Sequence, residues 1–89
     1  MQLTKTVRVP NQLGLHARAA AQLVQTANRF LSDVTIDKDG TEVNGKSIMG
    51  LLMLAAPQGS LVSVTVSGED AEEAMKVIGA LINDGFGED

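Results

Sequence analysis

The dipeptide Asp39-Gly40 lies between two short stretches of alternating apolar and polar residues, 33–38 and 41–44. Alternation with a period of two lets a strand bury one face and leave the other in water. A two-residue loop of Asp and Gly favours a type I′ turn, because both central positions of that turn need a positive φ. Strands joined this tightly run antiparallel, so the chain is expected to build an antiparallel sheet.

Two more strand patterns flank the predicted hairpin. Residues 2–9 alternate except at Lys5, which fits an edge strand or a long side chain whose amine reaches water. Residues 60–67 alternate more regularly and place three valines on the inward face: Val62, Val64 and Val66. The sheet is therefore expected to have four strands.

Three segments have the period of a helix: residues 17–30, 48–54 and about 71–83. The last one follows Asp70-Ala71-Glu72-Glu73, which has the form of a capping box, and Gly85 is the expected residue after its end. Of the remaining tail, 86–89, only Phe86 is expected to pack on the core. The order β-α-β-β-α-β-α predicts an α+β fold in a single domain, 1–89. Its architecture is an open-faced two-layer sandwich, a mainly antiparallel sheet covered on one face by three helices.

The length of 89 residues limits what the protein can do. A chain this short does not easily enclose a large substrate pocket, which favours a carrier or binding module over an enzyme. The sequence has no Cys and one His, so we expect no disulfide, no redox site, no metal and no cofactor. The absence of Cys suits a cytoplasmic protein. The N-terminus does not resemble a signal peptide, and no apolar run approaches the length of a membrane span.

Charge is unevenly distributed along the chain. Residues 1–32 contain four basic and no acidic side chains, whereas residues 69–89 contain seven acidic side chains and one basic. A basic region in a protein of net charge −4 favours acidic protein partners. The negative net charge and the lack of Trp and Tyr argue against nucleic-acid binding.

His16 stands where the first strand pattern gives way to the alanine-rich helical pattern. The first N–H groups of a helix have no partner inside the helix, and the dipole is positive there, so an anion is stabilised. The N–H groups of Ala17, Arg18 and Ala19 are expected to face a phosphate on the imidazole, and the Arg18 guanidinium to neutralise it. An ordinary exposed histidine beside a solvated arginine is the alternative interpretation.

Ser47 precedes the helix pattern 48–54 and is placed to cap its N-terminus. A phosphate on Ser47 would also be tolerated at a helix start, but the chemistry of the residue alone favours the plain cap. The helix is apolar nearly all round, and seven residues in a small domain cannot bury every side. Part of it is therefore expected to form an exposed docking surface for partners, drawn from Ile48, Met49, Leu51 and Met53.

Two segments resemble one known family. Asn11-Gln12-Leu13-Gly14-Leu15-His16-Ala17-Arg18 is similar to the active-site segment of HPr, the histidine-containing phosphocarrier of the bacterial sugar phosphotransferase system. Asn44-Gly45-Lys46-Ser47-Ile48-Met49-Gly50 is similar to the regulatory serine segment of the same family. The resemblance covers essentially the whole chain, including the order of its elements.

The resemblance implies a phosphocarrier that is not itself an enzyme. His16 would accept a phosphoryl group at Nδ1 from enzyme I and pass it to a histidine of an EIIA domain, while Arg18 neutralises the phosphate. HPr kinase/phosphorylase would phosphorylate Ser47 from ATP and lower the activity toward enzyme I, which reverses the preference for a plain cap. The carrier is expected to be a monomer.

Ala19 departs from the family, which usually has proline after the arginine. Proline would preset φ but lacks an N–H, whereas alanine keeps the helix and adds a donor, so phosphorylation of His16 is expected to survive. The alternative function is a regulatory HPr-like binding module without a direct role in sugar uptake. It would belong to the nitrogen-related branch, or act as a co-regulator through the phosphate on Ser47. A metal chaperone of similar outline is disfavoured because the chain has no Cys pair.

Overall fold

The computed structural model describes residues 1–88 and contains four strands: β1 (Gln2–Arg8), β2 (Asp33–Lys38), β3 (Thr41–Asn44) and β4 (Leu61–Ser67). They form one sheet in the order β1-β4-β2-β3, and every neighbouring pair is antiparallel. The predicted sheet is confirmed. β1 lies at an edge of it, which is one of the two explanations given for Lys5.

The hairpin between β2 and β3 has the predicted turn. Asp39 and Gly40 both have positive φ, 53° and 85°, which is the backbone of a type I′ turn. The last paired residues on either side are Lys38 and Thr41, so the loop has two residues. The Asp37 carboxylate also accepts a hydrogen bond from the Gly40 N–H at 3.2 Å.

Three helices cover one face of the sheet: α1 (Ala17–Ala27), α2 (Ile48–Leu54) and α3 (Ala71–Asn83). Their apolar faces meet the inward valines of β4 in one core, and the predicted two-layer α+β architecture is confirmed. The largest fully buried apolar side chains come from both layers: Leu23, Ile36, Leu51, Ile78, Ile82, Val64 and Val66. None of the helices within residues 1–88 is both long and apolar enough to cross a lipid bilayer.

α1 ends three residues earlier than the periodicity predicts, at Ala27 rather than at Phe30. After Ala27 the backbone tightens, because the N–H groups of Arg29 and Phe30 donate to carbonyls only three residues back, at 3.1 Å each. Phe30 is still buried, so the apolar stripe continues into a turn that is no longer an α-helix.

The sequence predicts the C-terminal end of α3 correctly, but not the N-terminal cap. Asp70 precedes the helix, but its side chain does not cap it, so the capping-box prediction is wrong. The carboxylate instead accepts hydrogen bonds from the segment that follows α1, at Leu31 and Ser32. At the other end Gly85 has a φ of 68° and Phe86 is buried, and both observations confirm the predictions.

Candidate functional site

The imidazole of His16 lies at the junction of the loop 9–16 and α1. His16 is the N-cap residue of α1, with an extended backbone (φ −80°, ψ −179°). Its side chain is 26% exposed, so the ring is held by the protein on one side and open on the other. Nε2 bonds to another side chain, whereas Nδ1 has no partner within residues 1–88 and is not buried. Nδ1 is therefore the ring nitrogen that is free to react.

The loop that carries His16 is fixed to the segment that precedes β4. Leu15 N–H donates to the Ala56 carbonyl at 2.8 Å, and Val9 exchanges backbone hydrogen bonds with Gly59 and Ser60, also at 2.8 Å. Within the loop, Asn11 Nδ2 donates to the Gly14 carbonyl at 2.7 Å. These bonds hold the backbone on the N-terminal side of His16 in one position.

Gly14 is required where these two segments meet. Its φ is 63°, and a Cβ at this position would overlap the Ala56 carbonyl oxygen and lie 2.8 Å from Pro57 Cα. The backbone could not approach Ala56 so closely with any side chain at position 14. The glycine thus serves the internal packing of the loop, and its role could not be read from the sequence around His16 alone.

The backbone N–H groups of the first turn of α1 have no acceptor within the helix. The first intrahelical hydrogen bond is from Ala20 N–H to the His16 carbonyl, at 2.8 Å, so the three preceding N–H groups have no helical acceptor. Ala17 and Arg18 are exposed, whereas Ala19 is completely buried beneath them. The Arg18 guanidinium forms no ion pair within the part of the chain that the structure describes. Arg18, two residues after His16, and the positive end of the α1 dipole thus both belong to the helix start at which His16 is the N-cap residue.

Glu88 is a residue of the site that no pattern in the sequence indicates. Its Oε2 lies 2.9 Å from His16 Nε2 and accepts a hydrogen bond from Asn11 Nδ2 at 2.8 Å. Its Oε1 accepts from the Leu13 N–H at 3.3 Å. The expected free tail is therefore wrong for Glu88, while Asp89 lies outside the described residues. No local pattern could reveal a contact between side chains 72 positions apart.

These donors determine the charge of Glu88. Desolvation raises the pKa of the carboxyl group, but the hydrogen bonds from Asn11, His16 and Leu13 together outweigh it, and the pKa lies below its usual value of 4.5. Glu88 is thus a carboxylate at neutral pH. A carboxylate can only accept, so the proton between the two side chains belongs to Nε2 of His16.

Ser47 caps α2 as predicted. Its Oγ accepts a hydrogen bond from the Gly50 N–H at 3.0 Å, which satisfies one of the free donors of the first turn. The other end of α2 is followed by its C-cap residue Ala55 and then by Ala56, which is bonded to the His16 loop. Ser47 and the His16 loop therefore lie at opposite ends of a seven-residue helix, about 10 Å long.

The exposed face of α2 is apolar, with one correction to the predicted set. Met49 and Met53 are 69% and 77% exposed, and Ile48 is exposed with them. Leu51 is fully buried because it lies on the face that packs into the core, so it cannot contact a partner. Leu52, which the prediction left out, is exposed on the same face, since it lies one turn after Ile48 and Met49. We refer to Ile48, Met49, Leu52 and Met53 as the α2 patch.

Comparison with known proteins gives one family. The family model described as "PTS HPr component phosphorylation site" matches residues 3–84. The phosphocarrier protein HPr of Xylella fastidiosa is 48% identical over 87 residues, which is 98% of each chain.

Solved structures agree with this result. The crystal structure of HPr-C-His from Thermoanaerobacter tengcongensis has a TM-score of 0.94 and 45% identity, over 98% of each chain. Crh of Bacillus subtilis, described as a catabolite repression protein and as a domain-swapped dimer, has a TM-score of 0.77 and 48% identity. The match covers 89% of this chain and 91% of Crh.

Proposed function

The chain belongs to the HPr family of phosphocarrier proteins, which are not catalytic enzymes, and we propose that it accepts a phosphoryl group on His16 Nδ1 from phospho-enzyme I. It then passes the group to a histidine of an EIIA domain. The observation that carries this proposal is the position of His16, with Nδ1 open to solvent at the start of α1.

The transfer is chemically balanced on these residues. The Nδ1 lone pair attacks phosphorus, the P–N bond to the donor histidine breaks, and the electron pair of that bond returns to the donor ring. The Nε2 proton of His16 stays in place. Phosphoryl transfer depends on the positioning of the reacting atoms and on the neutralisation of the phosphate charge. The groups that serve the second purpose follow His16 in the chain. Arg18 neutralises the phosphate, and the N–H groups of Ala17 and Arg18 face it, whereas the N–H of Ala19 is buried with the rest of that residue and does not reach it.

The α2 patch is the proposed docking surface for enzyme I, EIIA domains and HPr kinase/phosphorylase. Exposed apolar side chains on a small protein favour association, and methionines adapt to several partners. The His16 loop is bonded to Ala56, just after α2, so a partner seated on the patch lies beside the open side of the ring. The partner completes a site that this chain leaves half open.

Ser47 is the proposed regulatory site, phosphorylated from ATP by HPr kinase/phosphorylase. Its hydroxyl caps α2 and is flanked by the exposed side chains of Ile48 and Met49. A phosphate here would place about two negative charges at the edge of the α2 patch, where the helix N-terminus tolerates them and an acidic partner does not. Phosphorylation of Ser47 therefore lowers acceptance from enzyme I.

Incubation with enzyme I and phosphoenolpyruvate tests the carrier function. Mass spectrometry should show the mass of one phosphoryl group on the peptide that contains His16, and acid treatment should remove it. The His16→Ala variant should gain nothing. Equal labelling of both proteins, or no labelling of either, would refute the proposal. The same experiment tests whether phosphorylation tolerates Ala19.

The similarity to Crh favours a second candidate function, a regulatory module that acts through phosphorylated Ser47 without a direct role in sugar uptake. Incubation with HPr kinase/phosphorylase and ATP would then give an acid-stable phosphate, while enzyme I would give none. We place the protein in the cytoplasm as a monomer. Because Crh is described as a dimer, light scattering of the purified protein at several concentrations is the direct test of the monomer.

A further inference from the structure

We propose that Glu88 is a positioning residue for phosphoryl transfer, which holds the proton on His16 Nε2 and balances the positive charge that the ring acquires when Nδ1 is phosphorylated. The inference rests on the proposed carrier function and extends it to a residue beyond the stretch 3–84 that matches the family model. Three contacts and the charge of the carboxylate carry it.

The first step is the geometry of the ring. Glu88 Oε2 lies 2.9 Å from Nε2, so the hydrogen bond fixes the rotation of the imidazole and points Nδ1 away from the carboxylate. Because the carboxylate only accepts, Nε2 holds the proton and Nδ1 holds the lone pair. The ring is thus kept in the tautomer that a nucleophilic Nδ1 needs.

The second step is the anchoring of the carboxylate. Asn11 donates to the same oxygen at 2.8 Å, and the Leu13 N–H donates to the other oxygen. Asn11 is itself almost completely buried and is also bonded to the Gly14 carbonyl. Glu88 is therefore held by the rigid loop that carries His16, and its side chain is only 16% exposed.

The third step is the balance of charge during transfer. When the Nδ1 lone pair forms a bond to phosphorus, the ring with its Nε2 proton becomes a phosphorylated imidazolium. A carboxylate bonded to Nε2 stabilises that cation through a charge-assisted hydrogen bond. When the phosphoryl group leaves, the electron pair of the P–N bond returns to Nδ1 and a neutral imidazole departs. Glu88 therefore favours loading, and during unloading it keeps the proton on Nε2, so that the ring departs as a neutral imidazole and not as an imidazolate anion.

The test compares the wild-type protein with Glu88→Ala and Glu88→Gln. Alanine removes the acceptor, whereas glutamine can still accept a hydrogen bond from Nε2 but has no charge. Glu72→Gln is the matched control, because Glu72 is an exposed glutamate on α3 away from His16. Phosphoramidate is the phosphoryl donor, so the measurement needs no protein partner. The P–N bond of phosphoramidate breaks as a bond forms between phosphorus and Nδ1 of His16, and ammonia is the leaving group.

Proton NMR of the unphosphorylated proteins detects the Nε2 proton of His16 directly. If Glu88 only stabilised the fold, its substitution would leave this signal unchanged. In the wild type and in Glu72→Gln, the Nε2 proton should exchange slowly with water and resonate downfield, as expected for a bond to a carboxylate. Glu88→Ala should lose this signal. Phosphorylation should be slowed roughly tenfold in Glu88→Ala, with Glu88→Gln between it and the wild type.

Other results would overturn the inference. An unchanged rate in Glu88→Ala would make Glu88 a simple anchor for the segment after α3. A faster rate would mean that the carboxylate repels the incoming phosphoryl group. If the Nε2–H signal remained in Glu88→Ala, the Nε2 proton would be held by a group other than Glu88, and the proposed contact would be wrong. No phosphate on His16 in any protein would refute the carrier function instead, a result distinct from phosphorylation at equal rates.

Discussion

The Asp70 carboxylate accepts hydrogen bonds from both the backbone N–H and the hydroxyl of Ser32, 38 positions earlier in the chain. The Leu31 N–H donates to its other oxygen at 2.8 Å. One side chain thus joins the segment after α1 to the start of α3. The bond from the Ser32 hydroxyl, followed by that from the Leu31 N–H, holds the pKa of Asp70 below its usual value of 3.8, despite some desolvation.

This arrangement predicts an acid-sensitive part of the stability. Because the pKa is lowered by folding, the charged carboxylate stabilises the fold fully above pH 3.8, and this contribution is lost as the pH falls through the lower folded value. Asp70→Asn should lower the urea midpoint at pH 7 and weaken the loss of stability below about pH 4. Urea unfolding across this pH range measures both effects. Glu72→Gln is the control, and an equal response of the two variants would contradict the assignment.

Gly14→Ala should destabilise the protein through two effects. A positive φ costs a residue with a Cβ about 1–2 kcal/mol, and here the Cβ would also overlap backbone atoms of Ala56 and Pro57. We expect a loss of at least about 2 kcal/mol in the free energy of unfolding, measured by urea denaturation. Gly59→Ala is the control, since Gly59 has a φ of 88° but open space around it, and should lose only about 1 kcal/mol. Equal losses would show that the close approach to Ala56 is unimportant.

The two proposed roles of Ser47 can be separated by two substitutions. Ser47→Ala removes the hydrogen bond to Gly50 and should cost about 1 kcal/mol of stability, with little effect on transfer from enzyme I. Ser47→Asp keeps an acceptor at the cap, so its stability should stay near that of the wild type, while its negative charge should slow labelling. Thermal unfolding and the rate of labelling measure the two effects. Thr41→Asp, which adds the same charge at the exposed hairpin, should label normally.

Substitutions of Leu51 and Met53 should have different effects although both residues lie on α2: the first should affect stability and the second docking. Leu51→Ala should destabilise the protein by about 2–5 kcal/mol, because it leaves a cavity in the core. Met53→Glu should change stability by less than about 0.5 kcal/mol but raise the KM for phosphorylation by enzyme I. Chemical denaturation and steady-state kinetics give the two values. A normal KM for Met53→Glu would exclude this part of the α2 patch from docking.

The order and type of the main elements could be predicted from the sequence because each is encoded locally. The Asp39-Gly40 turn, the valine alternation of β4 and the Ser47 cap each depend on a few adjacent residues. Leu51 and Leu52 could not be assigned in the same way. In a helix that is apolar nearly all round, periodicity does not identify the buried face, and only packing against α1 and the sheet decides it.

Two of the predictions that were wrong concern side chains whose partners lie far away in the sequence. Asp70 stands at the position of a helix cap, but its carboxylate accepts two hydrogen bonds from Ser32 and one from Leu31 instead of bonding to the first turn of α3. Glu88 was expected to be part of a free tail, yet it contacts the loop of Asn11, Leu13 and His16. Neither partner lies near in sequence, so the segments must first fold together before these contacts exist.

The bond between Leu15 and Ala56 has a consequence for the speed of recognition. It makes the α2 patch and the reactive imidazole parts of one preorganised body, ordered before any partner arrives. Little conformational entropy is then lost at encounter, and association needs no slow rearrangement of this chain. In the proposed function the chain loads from one protein and unloads to another, and such rigidity favours that role because each short-lived collision in the right orientation is already competent for transfer.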